Sequence, residues 1–412
     1  MAQYNTASTI SAWIKDIYAD KLENLIPEGV RLLRDIPFLK GDKELGDNYI
    51  QPVALTHEFG FSVGSGAFSL NDSISATYGE AQIAGKNLLL RASVSYDAAA
   101  RASNSKKAFM KWSEQVIGNM TSSFTKRLEI LHFYGGTGLG AVSALSDSAG
   151  VNTLTISTAS WASGIWAGSE GMNLDAYTST TKQNSAGTLV VSAVDLVART
   201  ITVTGSSSDT AAIDVGSVLY FRASYGAELN GLDKITTNTG SLYNIVASDF
   251  ALWKGNSYSA GSSPLTFGKI QRAIALGVSK GLDEKVNCYV SPATYADLNT
   301  DLSAFRSMDQ SYKAAKGESG HESIRFFSVN GEIEVTPSIY VKEGEAFIVP
   351  VKRMKRIGST DVTMRMPGMA DEQLMLQLPS NAGYEMRLFY DGNLFSERPG
   401  YLVKITGIVN NS

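Results

Sequence analysis

The 412-residue sequence has one cysteine, Cys288, three histidines and ten prolines. A single thiol excludes an internal disulfide framework and a zinc cluster built on thiolates, so stability must come from packing within or between chains. Excess positive charge is also lacking. Lys and Arg number 36 against 40 Asp and Glu, a formal net charge of −4. That argues against a protein that clamps nucleic acid with a broad basic face, though not against one that encloses it. No stretch approaches the roughly 18 to 20 apolar residues of a membrane helix. The opening "MAQYNTASTISAW" lacks the basic start and apolar run of a secretory signal, so the chain is expected to work where it is made.

What is present is globular, with 43% hydrophobic residues and a length that calls for two or three subdomains. Ile10, Trp13, Ile14, Ile17, Tyr18, Leu22 and Leu25 recur at helical spacing before Pro27 and Gly29, predicting an amphipathic helix in an N-terminal arm. In "HEFGFSVGSGAFSL", residues 57 to 70, Phe59, Phe61 and Val63 alternate with glycine and serine, the period of a strand with one apolar face. A second alternating segment, 86 to 99, predicts its partner in a long hairpin, and a lone hairpin must lean on something else. From about Ser103 to Tyr134, Phe109, Trp112, Val116, Met120, Phe124, Leu128 and Leu131 mark a long helix closed by Gly135 and Gly136. Residues 140 to 236 turn to Ser, Thr, Gly, Ala and Val in short alternating strands, predicting an antiparallel β unit, a small barrel or sandwich. Beyond it, "TFGKIQRAIALGVSKGL" reads as a helix, Val286 to Val290 as a buried strand before a helix near Pro292, and the remainder as strands that pair back into the chain. The class is α+β.

Catalytic signatures are scarce. "GGTGLGA" matches a dinucleotide fingerprint only in its letters, because a helix precedes the glycines where a strand is needed, so helix termination is the better reading. His57, His132 and His321 stand far apart and at no metal-ligand spacing. Cys288 sits between Val286 and Val290 as a small buried residue. Paired acids such as Asp371 and Glu372 lack a partner base. No catalytic, cofactor or metal residue is assigned, and no enzyme is expected. The run Lys352, Arg353, Lys355 and Arg356 is a solvated face, or it meets an acidic patch on a neighbour or the phosphates of an enclosed genome.

An arm, a projecting loop, an over-long helix and no active site together resemble the major capsid protein of tailed double-stranded-DNA bacteriophages, the Hong Kong phage-type capsid fold. "SYGAELNGLDKI" at 224 to 235 and "RPGYLVKITGIV" at 398 to 409 add to the likeness of layout. The resemblance implies an N-terminal arm at 1–50, an extended loop at 51–97, a peripheral domain with its spine helix at 98–139, and an axial domain at 237–412 whose last strands return to the peripheral domain; residues 140–236 exceed the compact core of that family and are taken as an inserted β-rich domain on the outer face. It implies a structural subunit that self-assembles, as hexamers and pentamers of itself, into an icosahedral capsid around double-stranded DNA. Expected partners are a separate scaffolding protein, a portal and a decoration protein on the inserted domain. Location would be the virion capsid, assembled in the host cytoplasm, with no membrane and no sequence-specific DNA contact. Subunit contacts would fall to Trp13, Ile14 and Ile17 of the arm, Phe59, Phe61, Val63 and Phe68 of the loop, and Lys352, Arg353, Lys355 and Arg356. The alternative is a secreted or surface-displayed β-rich binding protein, an adhesin or glycan-binding module.

Overall fold

A computed structural model describes residues 30–39, 48–95, 106–148, 150–185, 187–306, 324–329, 331–364, 376–377 and 383–411. The predicted arm helix, with Trp13, Ile14 and Ile17, lies outside the described residues. So does His321.

Strands β1 (Tyr49–Ala54) and β2 (Tyr78–Ile83) form an antiparallel ribbon. Its base is seated: Gln82 donates its N–H to the carbonyl of Tyr243 at 2.8 Å, and Leu55 and Ile245 close over Gly79. Strand β3 (Lys86–Ser95) then departs from the expected hairpin. Rather than pairing with residues 57–70, it pairs over ten positions with a strand almost 300 residues later. The physical reason is in the glycines. Gly60, Gly64 and Gly66 give 57–70 little side-chain surface for a ladder, whereas β3 offers Leu88 and Leu90, packed against the core.

The long helix spans Lys106–Tyr134, about 43 Å at 1.5 Å per residue. Met120, Phe124, Leu128 and Leu131 are buried as their spacing requires, and every residue from Leu128 to Gly135 is buried. The end of the helix therefore runs through the centre of the protein. Gly135 stops it against the backbone: a Cβ there would stand 2.3 Å from the Leu229 carbonyl oxygen, and Gly231 donates its N–H to the Gly135 carbonyl at 3.0 Å. A strand, not a helix, follows the glycines, as helix termination requires and a dinucleotide site does not.

That strand is β4 (Gly140–Ser148). With β5 (Val151–Ile156), β6 (Asn173–Thr178), β7 (Thr181–Lys182), β8 (Leu189–Asp195), β9 (Thr200–Thr204) and β10 (Val218–Phe221) it forms an antiparallel sheet ordered β10-β4-β5-β9-β8-β6-β7. Pairing of β10 with β6 as well as β4 closes six of these strands into a barrel, which removes their free edges. Leu154, Leu174, Leu189, Ile201, Val203 and Leu219 fill it.

Short strands β11 (Ser241–Leu242) and β12 (Ile245–Val246) turn at Tyr243 and Asn244, both at positive φ. The second large sheet combines β13 (Asn256–Ser263), β14 (Val286–Val290), β15 (Ile324–Ser328), β16 (Gly331–Pro337), β17 (Ala346–Val349) and, far downstream, β21 (Val403–Ile408), in the order β13-β21-β17-β14-β16-β15. The helix Phe267–Val278 covers it with Phe267, Ile270 and Ile274, and its core forms a separate cluster. Thr266 caps that helix, accepting the Lys269 N–H on its side-chain oxygen. The third sheet lies along the long helix: β18 (Met354–Thr363) and β19 (Leu376–Gln377) pair with one edge of β20 (Gly383–Ser396), and β3 takes the other edge.

The barrel is not free-standing. Its buried residues belong to the same hydrophobic cluster as the long helix and the third sheet. Trp161 and Trp166, on the connection between β5 and β6, stack at 6.2 Å with no more than 1% exposure. The same connection takes Glu343 N–H on the Trp161 carbonyl at 2.9 Å and gives Gly164 N–H to Ile339 at 2.9 Å.

Candidate assembly surface

Residues 55–77, between β1 and β2, make a two-stranded loop without a regular ladder. Phe59 N–H reaches the Ile74 carbonyl at 3.1 Å, and the Asn71 side chain and N–H hold Phe61 and Ser62, each at 2.7 Å. The loop thus folds back on itself, which replaces the pairing with 86–99 expected from alternation. Phe59 is 57% exposed, Phe61 77%, Val63 96% and Phe68 46%, with Leu70 and Ile74 exposed beside them. Desolvating so contiguous an apolar surface is favourable, and exposed apolar runs of this kind mark interaction sites. Over 55–85 the charged side chains are Glu58, Asp72 and Glu80, with no Lys or Arg.

The described end of the arm behaves differently. Leu32 and Ile36 are fully buried, and the carboxylate of Glu129 on the long helix accepts the N–H groups of Arg31 (2.9 Å), Leu32 (2.7 Å) and Leu33 (2.8 Å). Burial pushes the Glu129 carboxyl up to about 7, the three N–H donors opposing it. Three residues along, His132 is buried with Nδ1 2.6 Å from the Leu128 carbonyl, and burial brings it down to about 4. Residues 30–39 therefore dock on their own body.

The basic run is divided, which corrects the reading of it as one face. Arg356 is internal: Nε donates to the Ile36 carbonyl at 3.0 Å and Nη1 to Asp361 at 2.9 Å, with Phe38 beneath. Its charge is consumed in holding the arm's base, leaving none for a neighbour or a phosphate. Arg353 is paired with Glu284 at 2.6 Å and with Glu397, Lys355 with Glu397, and Lys352 is exposed.

His57 is exposed on the loop, far in kind from buried His132, and Cys288 is fully buried, its thiol pushed up to about 12 by burial. Among the described residues no three His, Cys, Asp or Glu side chains gather as metal ligands, and no helix is long and apolar enough to cross a membrane. Buried charge does gather where sequence gave no signal. Lys404 Nζ lies 2.5 Å from Asp233 and 2.8 Å from Glu345, and Lys342 Nζ reaches the Gly138 carbonyl at 3.0 Å over the Tyr134 ring. These groups join the end of the long helix, the turn that follows it and the second sheet. They neutralise one another.

A seated base, an unpartnered apolar loop, a central helix and a sheet-and-helix unit completed by the C-terminal strand are the parts of one known architecture. The chain has the phage capsid fold. It is similar over 98% of its length to 99% of a chain in the cyanophage A-1(L) capsid asymmetric unit, with a TM-score of 0.60 and 10% identity. It is similar over 99% of its length to the whole of a chain in the capsid of a native GTA particle, with a TM-score of 0.51 and 8% identity. No family profile and no curated protein matches the sequence.

Proposed function

We propose that this chain is a structural subunit, not an enzyme, whose copies assemble through the loop 55–77 into an icosahedral capsid around double-stranded DNA. One observation carries the reading: on a body with the capsid fold, Phe59, Phe61, Val63 and Phe68 stand exposed on a loop seated at its base and free at its tip. At about 25 cal/mol per Å², a few hundred square ångströms buried per loop contributes several kcal/mol before ordering is subtracted. Contacts of that strength let misplaced copies leave, and repetition around a closed shell makes them collectively strong.

Hexamers and pentamers of the chain build the shell in this reading, a scaffolding protein and a portal guide it, and a decoration protein sits on the barrel. The virion capsid is its location, with assembly in the host cytoplasm. Small net charge suits a container, since dense positive walls would bind phosphates and hinder passage of the genome. The binding-protein alternative is not favoured, because the barrel that would be the binding module shares its core with the long helix.

The test is particle formation. Purified protein, alone or with its scaffolding protein, sediments as large closed particles visible in negative stain. A monomer that persists at high concentration under both conditions overturns the proposal.

A further inference from the structure

On the flank of the long helix a cavity of about 580 Å³ opens between that helix, β3 and the connection entering β6, within the size range of small-molecule sites. Leu88, Leu89, Phe124 and Ile165 supply apolar walls, a poor host for water and a good one for hydrocarbon. Each cation at this cavity is answered by a carboxylate. Burial pulls the Lys126 and Arg127 values down, Glu170 opposing at the one and Glu228 at the other, and Glu228 serves Lys234 as well. A cationic guest would meet Arg127 and Lys126, and an anionic guest Glu170 and Glu228, so an uncharged guest fits best. Hydrogen bonding, in contrast, is unanswered. Lys126 donates to the Ala167 carbonyl at 2.6 Å, and Glu228 accepts from the Ser224 hydroxyl at 2.6 Å and the Gly136 N–H at 2.7 Å. Arg127 has no such bond: its guanidinium stacks over the Phe221 ring, and its buried Nε finds no acceptor among the described residues. Ser169, 6% exposed on the same lining, has a buried hydroxyl equally without a partner. Buried donors left unpaired cost free energy, and two of them at one cavity call for an acceptor.

We infer that this cavity binds a small uncharged amphiphile, a single alkyl chain ending in a carbonyl group, the chemistry of a free fatty amide. The chain lies against the leucines of β3, Phe124 and Ile165, and the carbonyl oxygen accepts from the Arg127 guanidinium and the Ser169 hydroxyl. Each part of the guest answers one feature of the wall: hydrocarbon for the apolar lining, an acceptor for the unpaired donors, and no net charge where both signs are already present. Binding is a property of the single subunit and does not depend on whether particles form.

Calorimetric titration of the purified chain with octanamide, octanoate and octylamine, which share a chain and differ in head-group charge, tests the site. Octanamide binds saturably, one molecule per chain, and the two charged probes bind about tenfold more weakly or worse. No saturable binding of octanamide overturns the proposal, and equal binding of either charged probe overturns the uncharged guest. Arg127→Met keeps the apolar stem, removes the donors and weakens octanamide binding about tenfold, while the affinity of the charged probes changes less. Ser169→Ala, a smaller change, weakens octanamide in the same direction and decides the matter should Arg127→Met fail to melt cooperatively. Folded variants that bind octanamide as wild type does place the guest elsewhere and overturn the site.

Discussion

Glu129 and Leu32, 97 residues apart, are joined by a 2.7 Å hydrogen bond from the Leu32 N–H to a fully buried carboxylate. With Arg31 and Leu33 sharing that carboxylate, one side chain of the long helix fixes where the arm leaves the body. Glu129→Leu removes the acceptor for three backbone donors at once. The expected loss is on the order of 2–4 kcal/mol, read from the denaturant midpoint at constant slope. A variant as stable as wild type shows that the arm's base is held by Leu32 and Ile36 alone.

The same helix carries a pair of opposed titrations. Glu129 has a folded value near 7, above its ordinary 4.5, so the folded state holds the extra proton between those values and stability falls as pH rises through that window. His132 has a folded value near 4, below its ordinary 6.5, so here the unfolded state holds the extra proton and stability rises with pH through nearly the same window. In wild type the two slopes oppose each other. Glu129→Gln therefore gives a protein whose stability climbs from pH 4.5 to 6.5, and His132→Asn one whose stability declines from pH 5 to 7. Parallel profiles for the two variants contradict this account.

Phe59→Asp with Phe61→Asp changes two side chains that are 57% and 77% exposed, so the folded subunit loses almost nothing. The expected result is cooperative melting within about 0.5 kcal/mol of wild type, together with loss of particles by sedimentation. Normal particle yield shows that the loop is not an interface.

How much of this was legible in the sequence depends on range. The long helix and the strand Val286–Val290 follow from local periodicity, because a buried stripe or run imposes its own spacing. Exposure of Phe59, Phe61 and Val63 could be anticipated from glycines that give them nothing to pack against. Partners were another matter. Alternation at 86–95 declares a strand but not that Gly383–Gly392 lies beside it, and nothing local marks Glu129 as the acceptor for residue 32. The basic run misled for the same reason: Arg356 spends its charge on a carbonyl 320 positions away. Lys404, inside an ordinary alternating strand, gave no hint of Asp233.

That last pair sets a stability test. Lys404 is held between Asp233 and Glu345 in a site with 6% exposure, and truncating one partner of such a cluster leaves charge uncompensated. Asp233→Ala is expected to cost about 3–5 kcal/mol, and Asp233→Ala with Lys404→Met clearly less, because the second change removes the stranded charge. Chemical denaturation of the two variants and Lys404→Met alone closes the cycle, and additive losses would show the pair uncoupled.

Removing the barrel tests whether it is an appendage. The sequence reading of 140–236 as an insertion expects the rest to fold when that segment is replaced by a short linker. Its core, however, is continuous with that of the long helix. Deletion strips Gly164 from against Ile339 and Tyr340, removes the Trp161 carbonyl that accepts the Glu343 N–H, and takes away Arg199, the 2.9 Å partner of Glu343. It also opens the side of the long helix at Phe124, which is buried beside Ile165, Met172 and Phe221. Each large apolar group returned to water costs about 1.5–3 kcal/mol, so a handful exceeds the 5–15 kcal/mol by which a domain is stable. The deletion variant should therefore be found in the insoluble fraction. A soluble, cooperatively melting product would mean that the long helix and third sheet bury enough surface between themselves to stand without it.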